Sequence, residues 1–465
     1  MTILPIGKNP SQLHSKIPNK VWRVGTLNYT TVGLFILFFW LLWGDFAWSL
    51  KERSVPPVLQ LLLKKFGSSD TLAGMLIGSL PGVFTIILGP IISYKSDRHR
   101  GPLGRRIPFL LVTAPIAALA MLGLAFSPVI GQYLHQGLGS RSPGLDSSIL
   151  IFFALFWTLF EVSTIIANAV FGALINDVVP QAVLGRFYGA VRALSLIAGM
   201  IFFWKFGKAE SHAVSILIGI GALYGIGITL MCLKVKEGEY PLPPPQTHQG
   251  IGGFLDAARG YFRECFGIPY YWWFFGMIAL SWAAFGPVNL FCVFFAKSIN
   301  MNMDIYGKCV GLSYFISLGL AYPLGSLADR FHPLRVGIVA LGLYAMVTLW
   351  GGLFARDSWT FEIALVAHGA LSGTWLTATA SIGQRLLPKP AFARFSSATG
   401  IVINLVGIIV SPAVGIFLDY THHVYRYTFL ISSGLAMLAL LTSLVLHRKF
   451  MALGGPKNYV APDRT

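Results

Sequence analysis

Charge is scarce in this sequence. Asp, Glu, Lys and Arg together supply only 11% of its 465 residues, while 55% are hydrophobic; soluble domains carry about a quarter charged. A chain so apolar cannot hide its surface in one soluble core, which excludes an ordinary globular protein and predicts a polytopic membrane protein. Acidic residues are scarcer still, with 18 Asp and Glu against 35 Lys and Arg, a net charge of +17. Nucleic acid is not the implied partner, because the cations have a topological explanation. Cysteine is rare too: Cys232, Cys265, Cys292 and Cys309 share no metal spacing and no disulfide framework. No metal triad or nucleophile pattern stands out, so neither an enzyme nor a bound metal or organic cofactor is expected. No short signal peptide precedes the first apolar run, and the polar stretch 1–23 is expected to stay in the cytoplasm.

What is present is a series of membrane-length apolar runs. Twelve are predicted, at 31–63, 72–94, 107–130, 149–175, 187–206, 214–233, 272–296, 306–327, 336–355, 361–382, 395–418 and 427–446. Five cations fall between Lys95 and Arg106, in a short Gly/Pro-turned loop between two of these runs. A weaker copy, Gly325 to Arg330 with Arg335, joins two runs far downstream. Placing both termini in the cytoplasm puts most of the 35 Lys and Arg on the inner side, as the positive-inside rule requires. The two loops imply two homologous halves. So do Pro180, Arg186 and Phe187, which recur with the same spacing as Pro388, Arg394 and Phe395. The expected organisation is an N-terminal six-helix bundle with its tail over 1–233, a linker over 234–270, and a C-terminal six-helix bundle over 271–465. Pro241, Pro243 to Pro245 and the glycines at 250–253 mark the linker, and 254–266 is predicted to form an amphipathic surface helix.

The first run contains Asp45 and continues into Lys51, Glu52 and Arg53. Two readings compete. The helix stops at Leu50 and leaves the triplet in an outer loop, or a tilted helix continues through Pro56 and Pro57 and places the charges in a central cavity. On the second, Asp45, Ser49 and Glu52 share one face, with Arg53 beside Ser49. Intramembrane charges normally face a wet interior or one another. In the fourth run Glu161, Thr164 and Asn168 form a polar stripe. Desolvation favours the protonated form of a carboxyl unless a cation pairs with it. That makes Glu161 a natural carrier of a transported proton, with Arg53 and Arg192 as the expected partners; the alternative is an acid satisfied by a neighbouring hydroxyl. The second run carries Gly74, Gly78, Gly82 and Gly89, a packing pattern. In the second half, Trp282, Phe285 and Asn289 share a helical face, as do His368, Ser372, Trp375 and Thr379. Rings beside amide, hydroxyl and imidazole groups suit sugars, which stack their C–H faces and need hydrogen-bond partners; each residue taken singly also fits ordinary packing.

The duplicated Asp-Arg loops and the six-plus-six layout resemble the major facilitator superfamily. Ser96-Asp97-Arg98, Gly104-Arg105-Arg106 and Pro108-Phe109 resemble, more narrowly, sucrose–proton symporters and the related glycoside–pentoside–hexuronide cation symporters. Trp48, Leu50, Pro57, Gln60, Leu61 and Leu62 fit the pattern those symporters carry in helix one, which implies that Lys51, Glu52 and Arg53 lie inside the membrane. Phe156-Trp157, Glu161, Ala173-Leu174 and Asp177 resemble their helix-four pattern, in which an Asp implicated in proton coupling occupies the Glu161 position. Gly172 stands where that pattern has Arg, and Ser93 where the general motif has Gly. The second run lacks the carboxylates with which melibiose-type relatives bind sodium, so a proton is favoured as coupling ion over sodium.

The resemblance implies an all-α membrane protein of twelve helices in two six-helix bundles, rocking about a midplane site. Asp97, Arg98, Asp177 and Arg186, with Asp329, Arg330 and Arg394, would form inner-face ion pairs favouring the outward-open state, whereas Arg100 and Arg105 are read as setting topology only. Trp48, Thr164, Asn168, Trp282, Asn289, His368 and Trp375 are the expected substrate contacts. Asp45, Lys51, Glu52, Arg53, Glu161 and Arg192 are the expected coupling charges. The leading function is proton-coupled import of a glycoside, disaccharide or oligosaccharide by a monomer in the cell (inner or plasma) membrane, with the bilayer as its other partner. An exporter or antiporter of amphiphilic compounds and a transporter-fold sensor are the alternatives.

Overall fold

The computed structural model describes residues 22–241 and 251–462. A two-stranded antiparallel hairpin, β1 (Trp22–Val24) and β2 (Leu27–Tyr29), precedes the first helix. The first half follows as α1 (Thr31–Lys65), α2 (Asp70–Arg98), α3 (Ile107–Leu138), α4 (Leu145–Val178), α5 (Gln181–Trp204) and α6 (Ala213–Lys234). A linking helix, α7 (Ile251–Phe266), contains the predicted amphipathic segment. The second half comprises α8 (Pro269–Ser298), α9 (Met303–Phe331), α10 (Pro333–Phe354), α11 (Ser358–Ala378), α12 (Phe392–Tyr420) and α13 (Tyr427–Ala452).

Among the described residues, eleven helices are long and apolar enough to cross a membrane. The expected tenth run is the exception. It forms the shorter α11, a turn at Thr379 and Ala380, and a separate helix Ile382–Leu386. Its His, Ser and Thr residues, useful beside a cavity, dilute the apolar signal.

The helix α1 shows how the first half is built. Thr30 caps it, accepting the Gly33 N–H at 3.1 Å, and Lys64 and Lys65 sit favourably at its C-terminus. It runs unbroken through Pro56 and Pro57, so Lys51, Glu52 and Arg53 lie within a continuous helix and not in a loop. Proline inside a soluble helix is costly, but neighbouring helices support such a segment in a membrane. Within the first half α1 packs on α5 and α6, α3 on α4 and α6, and α2 on α4. The second half repeats the scheme with α8 on α12 and α13, α10 on α11 and α13, and α9 on α11. The duplicated Pro-Arg-Phe sequence has a structural counterpart. Phe187 packs on Phe38 of the first helix of its half, and Phe395 on Tyr271 of the first helix of the other.

The halves meet through α2 against α12, α5 against α9, and α1 against α8. Small residues set the approach. A Cβ at Gly74 would stand 2.6 Å from the Ser411 carbonyl oxygen, and one at Gly307 would collide with the Phe203 carbonyl. The buried core is likewise continuous across the halves at this end, from Phe206 to Phe291, Phe294 and Phe429, whereas a second cluster around Tyr271, Phe275 and Phe395 belongs to the second half alone.

Candidate functional site

Two cavities flank α1. The first, of about 320 Å3, lies inside the first half and is lined by Trp48, Lys51, Glu52, Trp157, Phe160 and Glu161, with Thr164 and Asn168 beyond them. The second, of about 280 Å3, lies between the halves, where Glu52, Arg53 and Arg192 face Asn289, Tyr314 and His368. Glu52 and Pro56 line both. Helix geometry explains the split. Residues 51 and 53 point roughly 200° apart around the axis, so one enters the bundle and the other the interface between halves.

Lys51 is buried. Its Nζ lies 3.6 Å from Glu52, 4.2 Å from the Trp48 ring centre and 5.6 Å from that of Phe160. An ammonium enclosed by ring faces gains cation–π attraction in place of part of its hydration. The same ammonium attracts Glu161. Lys51 therefore shares the cavity of Glu161, whereas Arg53 and Arg192 line the other one. Arg53 is directed elsewhere: it donates to Ser195 at 3.2 Å and to Tyr314 at 3.4 Å, joining α5 of one half to α9 of the other. Arg192 stands near enough for the two guanidinium groups to repel. The Thr164 hydroxyl turns back to the Glu161 carbonyl at 3.1 Å, and Asn168 lines the same cavity.

The second half contributes a relay of neutral groups. His368 is buried, with Nε2 3.0 Å from Asn289 Oδ1 and Nδ1 2.9 Å from the Tyr344 hydroxyl, which in turn lies 3.2 Å from the Ala284 carbonyl. Ser313 and Ser317 complete the wall, each brought close by a glycine of α11, Gly369 and Gly373.

Three expected site residues stand elsewhere. Asp45 is buried against Ser49, 3.5 Å away, and lines neither cavity. Trp282 opens onto a separate crevice with Gly78, Gly82 and Asn404. Trp375 is core, packed on Phe285 with ring centres 5.5 Å apart. Each shares a helical face with a cavity residue one helix-repeat away, roughly 10 Å along the axis, and that displacement takes it out of the site. Trp157 and Phe160 supply aromatic wall that periodicity did not single out. Trp157 is anchored by its Nε1–H to the Leu76 carbonyl at 2.7 Å, within the π-helical stretch Gly74–Ser79 of α2.

The expected ionic network across the Arg-rich face is replaced by pairs inside each half. Asp177 takes Arg105 at 2.7 Å and Arg106 at 3.2 Å, and Arg106 also pairs with Asp97. Arg105 thus does more than set topology. Glu237 was not anticipated: its carboxylate accepts three N–H groups, of Arg105, Arg106 and Ile107, at 2.8–2.9 Å, where the dipole of α3 favours an anion. In the second half Asp329 pairs with Arg385 at 2.6 Å, and Arg394 with Glu264 of the linking helix at 2.5 Å. Arg98 lies over the Tyr94 ring and Arg330 over Phe331, while Arg186 is exposed and joins none of these pairs.

The halves are tied instead at the opposite face. Asp419 of α12 accepts the Asp70 and Thr71 N–H groups, both at 2.9 Å, and reciprocally buried Asp70 receives His423 at 2.7 Å and the Tyr425 hydroxyl at 2.9 Å. Lys64 donates to Tyr425, and Lys297 pairs with Glu210 across the same seam. Among the described residues, Asp70, Asp419 and His423 are the one set whose metal-type ligand atoms lie within 4.8 Å of one another, and hydrogen bonds between the halves already engage them. The cavities are therefore closed toward this face.

Comparisons with known proteins agree with this architecture. A bacterial homologue of the human lysosomal transporter Spinster, in an inward-facing state, superposes with a TM-score of 0.61 over 92% of this chain and 98% of its own, at 15% identity. The nucleoside transporter NupG gives 0.61 over 88% and 99%, at 12% identity. In sequence, the sucrose transport protein SUC4 of Arabidopsis thaliana is 25% identical over 337 residues, covering 67% of this chain and 62% of that protein. The sucrose transport protein SUT2 of Oryza sativa subsp. indica is 24% identical over 66% of this chain and 64% of that protein. The chain thus spans less than two thirds of the length of these curated relatives. The family model for MFS/sugar transport proteins matches residues 35–387. A multi-pass helical membrane protein with two packed halves and a polar cavity between them, this chain belongs to the MFS/sugar transport protein family.

Proposed function

We propose that the protein imports a glycoside, disaccharide or oligosaccharide together with a proton, by alternating access. The observation that carries this reading is the grouping of Glu161, Lys51 and Glu52 beneath the aromatic walls of Trp48, Trp157 and Phe160. A carboxyl held in low dielectric gains or loses a proton as its cation and its water access change. Glu161 is the proton carrier and Lys51 the cation it exchanges against. Sugar rings stack on the tryptophans through their C–H faces, while Arg53, Asn289 and His368 serve the hydroxyls. A proton is the coupling ion, supported by the lack of any carboxylate in α2 between Asp70 and Lys95. The Arg-rich face lies in the cytoplasm of a cell-membrane protein acting as a monomer. On this assignment the conformation described is the inward-open one. The charged cluster favours this reading over an exporter of amphiphilic compounds, whose cavity would be dominated by apolar side chains.

The experiment is uptake into proteoliposomes of a panel of small glycosides, with and without an inward proton gradient. Gradient-driven accumulation of at least one glycoside is expected. Accumulation driven by sodium, or uptake confined to amphiphilic cations, would overturn the reading.

A further inference from the structure

Gln60 lies on α1 two helical turns beyond Arg53, on the face that looks into the cavity between the halves. It is only 4% exposed. Its Nε2 donates 3.2 Å across the seam to the backbone carbonyl of Asn289, which belongs to the opposite half. That bond fixes the amide, since the reversed orientation would set two carbonyl oxygens against each other. The other end of the amide, Oε1, is buried and has no hydrogen-bond partner among the described residues. A buried carbonyl left in this state costs about 1–3 kcal/mol, which a suitable donor would recover.

The surroundings identify the donor. No donor on the cavity wall reaches Gln60 Oε1: Arg53 bonds Ser195 and Tyr314, His368 engages Asn289 and Tyr344, and Arg192 lines the cavity without meeting it. Pro56 and Pro57, which line the same cavity, supply no N–H, so the helical carbonyls of Glu52 and Arg53 lose their usual donors. Beside the guanidinium donors of Arg53 and Arg192, α1 thus offers this cavity free acceptors as well. The combination suits a ligand whose groups both donate and accept, as hydroxyls do, and does not suit one that presents only apolar surface.

We propose that Gln60 is a specificity-determining residue that reads one hydroxyl of the transported molecule, accepting its O–H at Oε1 while Nε2 remains on Asn289. The inference rests on the sugar-transport reading above and narrows it: the ligand is a polyol or glycoside with a free hydroxyl donor at the position facing α1. Because the same amide holds a carbonyl of the second half, the hydroxyl is read at a joint between the halves.

The test uses the reconstituted full chain, one transported glycoside, and its singly deoxygenated and deoxyfluorinated analogues as competitors. Fluorine replaces hydroxyl in size but cannot donate. At one ring position both analogues should compete about tenfold less well than the parent in the wild type. In Gln60→Met, of similar length but with no acceptor amide, that penalty should vanish while penalties at other positions persist. Gln60→Ala, which leaves room for water at the Asn289 carbonyl, should give the same loss and guards against misfolding of the first variant. A residue with only a structural role would weaken all analogues equally, and that result overturns the proposal. An unchanged pattern of penalties in either folded variant also overturns it. If the wild type takes up no glycoside at all, the proposed function and this inference fall together.

Discussion

In the first half the polar groups facing the interior include charges of both signs, Lys51, Glu52, Arg53, Glu161 and Arg192 along α1, α4 and α5, beside the neutral Gln60, Thr164 and Asn168. In the second half the facing groups are an amide, an imidazole and hydroxyls, on Asn289, His368, Ser313 and Ser317. Charges are expensive inside a membrane, so gathering both signs in one half lets them offset one another at short range. The other half is left free to present directional neutral hydrogen bonds. The two loops on the Arg-rich face differ in the same sense. In the first half Arg106 is 7% exposed and bridges Asp97 and Asp177, whereas in the second Arg385 meets an Asp329 that is 75% exposed.

The sharpest way to break this contrast is to neutralise Glu161. In Glu161→Gln we expect loss of gradient-driven accumulation with survival of substrate exchange, because exchange need not cycle a proton. His368→Gln should instead keep coupling and raise KM. Uptake with and without a gradient, alongside counterflow, separates the two outcomes. Accumulation retained in Glu161→Gln would pass the coupling role to Glu52, then Asp45.

The second prediction concerns the seam. Asp70→Asn removes a charged acceptor shared by His423 and Tyr425 across the halves, whereas Asp97→Asn acts within one half. Labelling of Cys292, which lines the cavity, by an impermeant thiol reagent from the closed face should rise roughly tenfold in Asp70→Asn, with the other cysteines replaced. Asp97→Asn should leave it unchanged from that side. Equal labelling in both variants would deny the seam a gating role.

Stability offers a third comparison. Arg106→Gln removes a buried guanidinium that bridges Asp97 and Asp177, leaving Asp177 its bond to Arg105, and should cost about 2 kcal/mol. Arg385→Gln breaks an exposed pair and should cost less than about 1 kcal/mol. Thermal unfolding in detergent would order them, and equal losses would contradict the burial contrast.

The smallest effect belongs to His332, in the turn between α9 and α10. Burial, with Arg385 and Arg335 nearby, lowers its pKa from the ordinary 6.5 to about 4. The folded protein therefore refuses a proton that the unfolded chain accepts, so stability falls as pH drops from 6.5 toward 4 and levels off below. His332→Asn should flatten that part of the profile. Asparagine tolerates the backbone φ of +79° and retains an acceptor for the Leu334 N–H. An identical pH profile in the variant would remove His332 as the cause.

Much of this protein was legible in its sequence. Low charge and repeated apolar runs determined a multi-pass helical protein, since a continuous apolar run satisfies its own backbone in a bilayer as a helix, whereas a barrel strand would alternate apolar and polar residues. Helical period determined the faces. Glu161, Thr164 and Asn168 share a stripe, and that stripe does line a cavity with Trp48, Lys51 and Glu52. Depth along a face and the choice of partner were left to the tertiary structure. Asp45, Trp282 and Trp375 sit on suitable faces at unsuitable levels, because only the packing of neighbouring helices fixes where along an axis a void opens. Lys51 rather than Arg53 shares the cavity of Glu161 because helices from one half enclose one side of α1 and both halves meet on the other. The Arg-rich face carries pairs within halves, and the seam lies at Asp70 and Asp419, because the conformation of the two halves decides which charges can reach each other. Sequence spacing records rotation around each helix; the distances between helices arise only when all of them pack.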